Sequence, residues 1–212
     1  MHLRYLAAAA AAIFLAVTAL RAQAPIVINM PGIDPPDVKI SARDTALIKR
    51  SALPSVRKRL ASDICTEEFE PAGAATGSFT RSGAAQAAVL YQYCRTGNGL
   101  GQVGIAVIES GKLVRSITAD VGWAVAVKRL PDIDGNGIDE LALYYSGGMH
   151  QGAGGSGIDI IEVAGDGVRP IGWFQAESFN DRDPSVGYRI TVEKRQSPLK
   201  FFRERYLQSA AG

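Results

Sequence analysis

The sequence predicts a mainly β protein, built of antiparallel strand units in tandem behind one short helical segment. Two observations carry that reading. Short apolar runs bounded by Gly, Ser, Asn and Asp recur beyond residue 70, among them Ile105–Glu109, Leu141–Tyr145 and Ile158–Glu162, which is the pattern of strands closed by turns. The same runs also recur at a fixed spacing, as a chain of similar units would require.

The chain has 212 residues. Residues 1–24 read as an export signal rather than as part of the fold: Arg4 supplies the positive start, Leu6 to Leu20 the apolar run, and Ala22-Gln23-Ala24 the small-residue cleavage pattern. Retention of this segment as an anchor is the one route to stable membrane insertion, and Pro25, just after the cut, is an awkward residue for cleavage. Its removal would take away Arg4 and Arg21, leaving 23 − 2 = 21 basic residues against 21 acidic. A balanced charge offers no surface for nucleic acid or anionic membrane. Periplasmic or secreted localisation is the expectation, and in an oxidising compartment Cys65 and Cys94 pair as a disulfide. That bond would close a loop of about 30 residues and stabilise by roughly 3 to 4 kcal/mol.

Residues 25–42 carry Pro25, Pro31, Pro35 and Pro36 and read as an extended lead-in. Residues 43–64 are the helical candidate, with Ile48, Val56, Leu60 and Ile64 on one stripe and Pro54 splitting it. The β domain spans 65–206. Within it, Ser78 to Leu90 lies on Asp132 to Tyr144 at an offset of 54, and Ile105–Glu109 on Ile158–Glu162 at an offset of 53. Two units of about four strands each follow, 73–126 and 127–180. Residues 187–206 add a hairpin, its alternating Arg and apolar residues suiting strands with one wet face.

The chemistry concentrates in Asp132-Ile133-Asp134-Gly135-Asn136-Gly137-Ile138-Asp139-Glu140. Calcium takes six to eight oxygen ligands. Asp132, Asp134, Asn136 and Glu140 supply side-chain oxygens at positions 1, 3, 5 and 9, and the Ile138 carbonyl another at position 7. Without a cation these carboxylates repel. A helix-loop-helix site is excluded, because position 12 is Leu143 rather than Glu. The matching positions of the first unit, Ser78, Thr80, Ser82 and Gln86, are all neutral. That loop is expected to bind no metal and to hold its shape by hydroxyl-to-backbone hydrogen bonds.

The string DIDGNGIDELAL resembles the calcium loop of FG-GAP repeats, also called VCBS repeats, of integrin-alpha propellers and many exported bacterial proteins. GSFTRSGAAQAAVL resembles a degenerate member. The resemblance implies calcium ligands at Asp132, Asp134, Asn136, Ile138 and Glu140, with Asp139 turned away from the ion. It also implies propeller-blade-like units, about two to three of them, too few for a closed seven-blade ring.

Three functional readings follow. The first is a non-enzymatic exported module whose calcium stabilises a loop, with the Gly-rich stretch Gly147 to Gly157 as a mobile contact loop. The second is a calcium-dependent hydrolase using His150, Asp166, Asp181 or Asp183, although no nucleophile elbow, paired-acid spacing or zinc motif supports it. The third is an adhesion or inhibitor module binding a protein or glycan through Trp123, Trp173 and Phe174, residues whose apolar neighbours place them in the core instead. Oligomerisation would complete a short row of blades.

Overall fold

The structure is a computed structural model that describes residues 24–34, 39–54, 69–95, 100–180, 183–194 and 197–208. Residues 1–23, where the export signal is expected, the end of the helical candidate, Cys65 and Asp181 lie outside the described residues. The fold is mainly β and antiparallel, with one short helix, and it is not a seven-blade ring. Among the described residues no helix is long and apolar enough to cross a membrane.

The strands are β1 (Ile26–Asn29), β2 (Glu70–Gly77), β3 (Gln86–Arg95), β4 (Leu100–Glu109), β5 (Lys112–Leu130), β6 (Glu140–His150), β7 (Ala153–Ala164), β8 (Gly167–Asn180), β9 (Val186–Glu193) and β10 (Lys200–Leu207). Helix α1 (Ala42–Leu47) precedes β2 and runs into a π-helical turn, Ile48–Ala52. Ser41 caps it, its Oγ accepting from the Asp44 N–H at 3.0 Å.

Strand β5 organises the molecule. Its first half pairs with β4 and completes a four-stranded sheet, β2-β3-β4-β5. Its second half, from Trp123, pairs with β6 and opens the barrel-like sheet that continues through β7, β8 and β9. Strands β1 and β10 both flank β9. The Lys128 ammonium on β5 donates to the Val27 carbonyl at 3.1 Å, and the Tyr144 hydroxyl on β6 donates to the Ile28 carbonyl. These two side chains tie β1 back to β5 and β6 and so nearly close the barrel. Burial lowers the Lys128 pKa and raises that of Tyr144.

Three apolar cores result. Leu47, Ile48, Ala52 and Leu53 cover the outer face of the four-stranded sheet at Val89, Tyr91 and Ala106. Its inner face, with Leu90, Ile105 and Ile117, packs on Leu141, Leu143 and Ile161 of the second sheet. The far side of that second sheet, with Tyr144, Ile158 and Ile160, closes around Ile28, Ile190 and Val192. Strands β2 to β7 therefore have apolar residues on both faces, which explains their near-continuous apolar runs in the sequence.

Two expectations are corrected. The stretch Gly147 to Gly157 is no loop but most of a hairpin, β6 to β7, turned at Gln151 and Gly152 with φ of 51° and 78°. Its glycines serve packing. A Cβ on Gly155 would come within 2.4 Å of the Glu177 carbonyl oxygen, and one on Gly157 within 2.5 Å of the Tyr145 ring. Trp173 is not a core residue. It is 60% exposed, because it lies opposite Asp159 on the face of β8 turned away from Ile158 and Phe174. Phe174 does pack inward, with its ring 4.9 Å from that of Phe201. The side chains of Trp123 and His150 lie outside those described, and Asp166 and Asp183 sit at opposite ends of β8.

Cys94 is buried and disulfide-bonded. The only other cysteine in the sequence is Cys65, which lies outside the described residues.

Candidate metal centre

The loop between β5 and β6 is folded by its own carboxylates. Asp132 accepts from the Gly135 N–H at 2.7 Å and the Gly137 N–H at 3.1 Å. The two glycines have φ of 86° and 88°, a region that side chains with a Cβ rarely adopt. Asp134 accepts from the Asn136 N–H at 3.1 Å. The Asn136 carboxamide oxygen accepts from the Ile138 N–H at 2.7 Å, and its nitrogen donates to Glu162.

Of the five expected ligands, Asp132, Asp134 and Glu140 are gathered, one carboxylate oxygen of each lying within 4.8 Å of the others. Asn136 instead directs its amide nitrogen to Glu162, and Ile138 sits in the loop with its N–H held by Asn136. Asp139 turns away from the cluster. It accepts from the Ser78 N–H at 2.8 Å, from Arg129 at 2.8 Å and from the Asp132 N–H at 3.1 Å, while its own N–H donates to the Ser78 carbonyl. Burial pushes the Asp139 carboxyl up, but these donors outweigh it and hold the group below the ordinary range. This residue clamps the two loops together.

Glu140 is the unusual group. It is the first residue of β6 and is fully buried. One oxygen accepts from the Ile133 N–H at 2.9 Å. The other, Oε1, is buried and has no hydrogen-bond partner. Burial foremost, with the charges of Asp134 and Asp132 adding to it, pushes the carboxyl up to about 7. An unpaired oxygen in such a place is costly unless a cation or a proton meets it.

The first loop shows what satisfies the same geometry. Gln86 stands 140 − 86 = 54 residues before Glu140 and opens β3 as Glu140 opens β6. Its carbonyl oxygen accepts from the Phe79 and Thr80 N–H groups at 2.9 and 3.0 Å, as Glu140 accepts from Ile133. Where Glu140 has a bare oxygen, Gln86 has an amide nitrogen. That nitrogen donates to Thr80 at 2.6 Å and to Glu109 at 2.9 Å. The expected hydroxyl-to-backbone bond exists, Ser78 Oγ to the Ala84 carbonyl at 2.9 Å, but the Gln86 amide organises the loop.

No protein-family model, curated protein or solved structure matches this chain.

Sequence reasoning missed Glu162 and Arg169. Glu162 is buried on β7, and Arg169 on β8 donates to both Glu162 and Asp134 at 2.7 Å. Those two carboxylates raise the Arg169 pKa. The signal was present in the alignment of Glu109 with Glu162, since in both loops a glutamate from the second strand after the loop faces it. The donor set fits a hard cation: three carboxylates, one with a buried bare oxygen, and no sulfur or imidazole in the cluster.

Proposed function

We propose that this chain is an exported β module of the FG-GAP (VCBS) type that binds one calcium ion in the loop 132–140, with no catalytic role. Two tandem blade-like units would share β5, and the ion would neutralise the carboxylates that the second loop gathers. The observation that carries this reading is the buried, partnerless Oε1 of Glu140, set against the Gln86 amide that fills the same place in the first loop. Asp132, Asp134 and Glu140 would hold the ion. Calcium would supply charge neutralisation there and so tie β6 to the loop and, through Asp139, to the first loop. Asp134 keeps its Arg169 partner, so the ion needs to offset only part of the cluster's charge. The stabilised loop would serve structure or the presentation of a surface to an exported protein or glycan partner.

Calorimetric titration of the purified chain with calcium and with magnesium tests this. Heat on adding calcium, a weaker response to magnesium, and a melting temperature that falls in chelator are expected. A chain that takes up no calcium and melts identically with EDTA refutes the reading.

A further inference from the structure

A second polar feature lies on the face of the barrel-like sheet away from its interior. Tyr145 on β6 lies over Gly157 of β7, where any side chain would collide with its ring. Trp173 on β8 donates its indole N–H to the Tyr145 hydroxyl. Asp159 lies directly opposite Trp173 across the β7–β8 ladder, two residues along from Gly157 on the same face. Directly opposed residues have Cβ atoms about 5 Å apart. Two aromatic side chains and a carboxylate thus border one spot at the surface.

The corresponding place in the first unit shows how different this is. Tyr91, which is 145 − 91 = 54 residues earlier, lies over Gly104 in the same way. It is fully buried, beside Phe69 and Tyr93 and under the helical segment. The position matching Asp159, at the offset of 53, is Ala106, also fully buried. One unit seals an apolar face. The other packs that face inward at Leu143 and Ile161 but leaves its Trp173 end open and puts a carboxylate there.

That carboxylate has no neutralising partner. Among the described residues no hydrogen bond or ion pair reaches Asp159, and half-burial alone raises its pKa. A half-dehydrated carboxylate gains most from a cation. The faces of Trp and Tyr attract the same kind of group, and this combination is the way proteins recognise ammonium ions. A sugar would also stack on Trp173, but it would not answer the unpaired charge.

We propose that Tyr145, Trp173 and Asp159 form a binding site for an organic ammonium group, carried either by a small quaternary amine or by a lysine side chain. Asp159 supplies the counter-charge, Trp173 and Tyr145 the π-faces, and Gly157 the room for Tyr145 to lie flat. The site is independent of the calcium loop.

The test is an NMR titration of the full chain that follows the indole N–H signals of its two tryptophans, with Trp173→Phe identifying the right one. Choline, N-acetyl-lysine amide, the neutral choline isostere 3,3-dimethylbutan-1-ol and methyl glucoside are the four probes. Saturable shifts with choline or the lysine amide, none with the other two, and at least tenfold weaker binding in Asp159→Asn are expected. Whichever cation binds more tightly identifies the source of the ammonium group. Equal binding of the isostere, binding of the glucoside alone, no saturable shift with any probe, or an Asp159→Asn affinity within twofold of wild type overturns the proposal. Should Asp159→Asn fail to fold, the wild-type chain decides: choline affinity falls on going from about 20 to about 500 mM NaCl if a charge pair forms, and stays constant if none does.

Discussion

Replacing Glu140 by Gln gives the second loop the group that the first loop already uses. In wild type the folded Glu140 carboxyl titrates near 7, against 4.5 for an unperturbed glutamate. A shift of that size corresponds to about 3 kcal/mol. The sign follows from linkage. The folded-state pKa is raised, so below pH 4.5 the group is protonated in both states and costs nothing. Stability is then lost as pH rises towards and through 7. At pH 8 in EDTA, Glu140→Gln removes an ionised buried oxygen and places an amide donor beside Asp132 and Asp134. It should therefore be more stable than wild type by about 2 to 3 kcal/mol, or roughly 4 to 12 °C in Tm for a chain of this size. In millimolar calcium the order should reverse or close, because the proposed ion would stabilise wild type by mass action and the variant would lack one of its ligands. Thermal melts by circular dichroism at pH 5 and pH 8, each with EDTA and with calcium, give the four comparisons. A variant less stable than wild type in EDTA at pH 8 would refute the reasoning, since it would mean that the bare oxygen of Glu140 already has a partner.

Other changes separate the loop's folding from its chemistry. Asp132→Ala should lower Tm in calcium more than in EDTA, but the EDTA loss should still be about 1 kcal/mol because the Gly135 and Gly137 N–H groups lose their acceptor. Asp139→Asn should cost about 2 kcal/mol with or without calcium. The stability that Asp139 adds is present above its unfolded pKa of 3.8 and fades as pH falls below it; a denaturant series at pH 3 and pH 7 measures both. Gln86→Ala should leave calcium affinity unchanged in calorimetry and yet destabilise by about 2 to 3 kcal/mol, since it strands the Phe79 and Thr80 N–H groups. Gly104→Ala should destabilise more than Gly157→Ala, by at least 1 kcal/mol in urea unfolding, because the Tyr91 ring above Gly104 is enclosed and cannot move aside.

Much of this was legible in the sequence, and the failures have one physical origin. Strand runs such as Leu141–Tyr145 and the β9–β10 hairpin were readable because their apolar side chains and flanking turn residues agree. The gathering of Asp132, Asp134 and Glu140 was readable because their spacing around two glycines folds the loop back on itself. The segment Gly147 to Gly157 misled because glycine signals both a turn and a close approach. Which one applies depends on Tyr145 and Glu177, residues that sit on neighbouring strands. Trp173 misled for a related reason. Its apolar neighbours in sequence alternate between two faces, and only the pairing with Asp159 shows that its own face is the open one. Glu162 and Arg169 belong to the strands after the loop, so no local window contains them together with Asp134.

The two loops also constrain how their difference is understood. In the first, Thr80, Gln86 and Glu109 form a set in which one amide meets a hydroxyl and a carboxylate, and Arg81 neutralises that carboxylate. In the second, Asp134, Glu140 and Glu162 occupy the matching places with three carboxylates, and Arg169 reaches only two of them. Counting charges, the first set is balanced by its own side chains, whereas the second keeps a surplus of negative charge at Glu140, the one member that is fully buried. A proton balances it at low pH, but at neutral pH that proton is half lost. The surplus destabilises the closed fold as pH rises, and under the proposed reading a divalent ion would offset it without adding a side chain to the core.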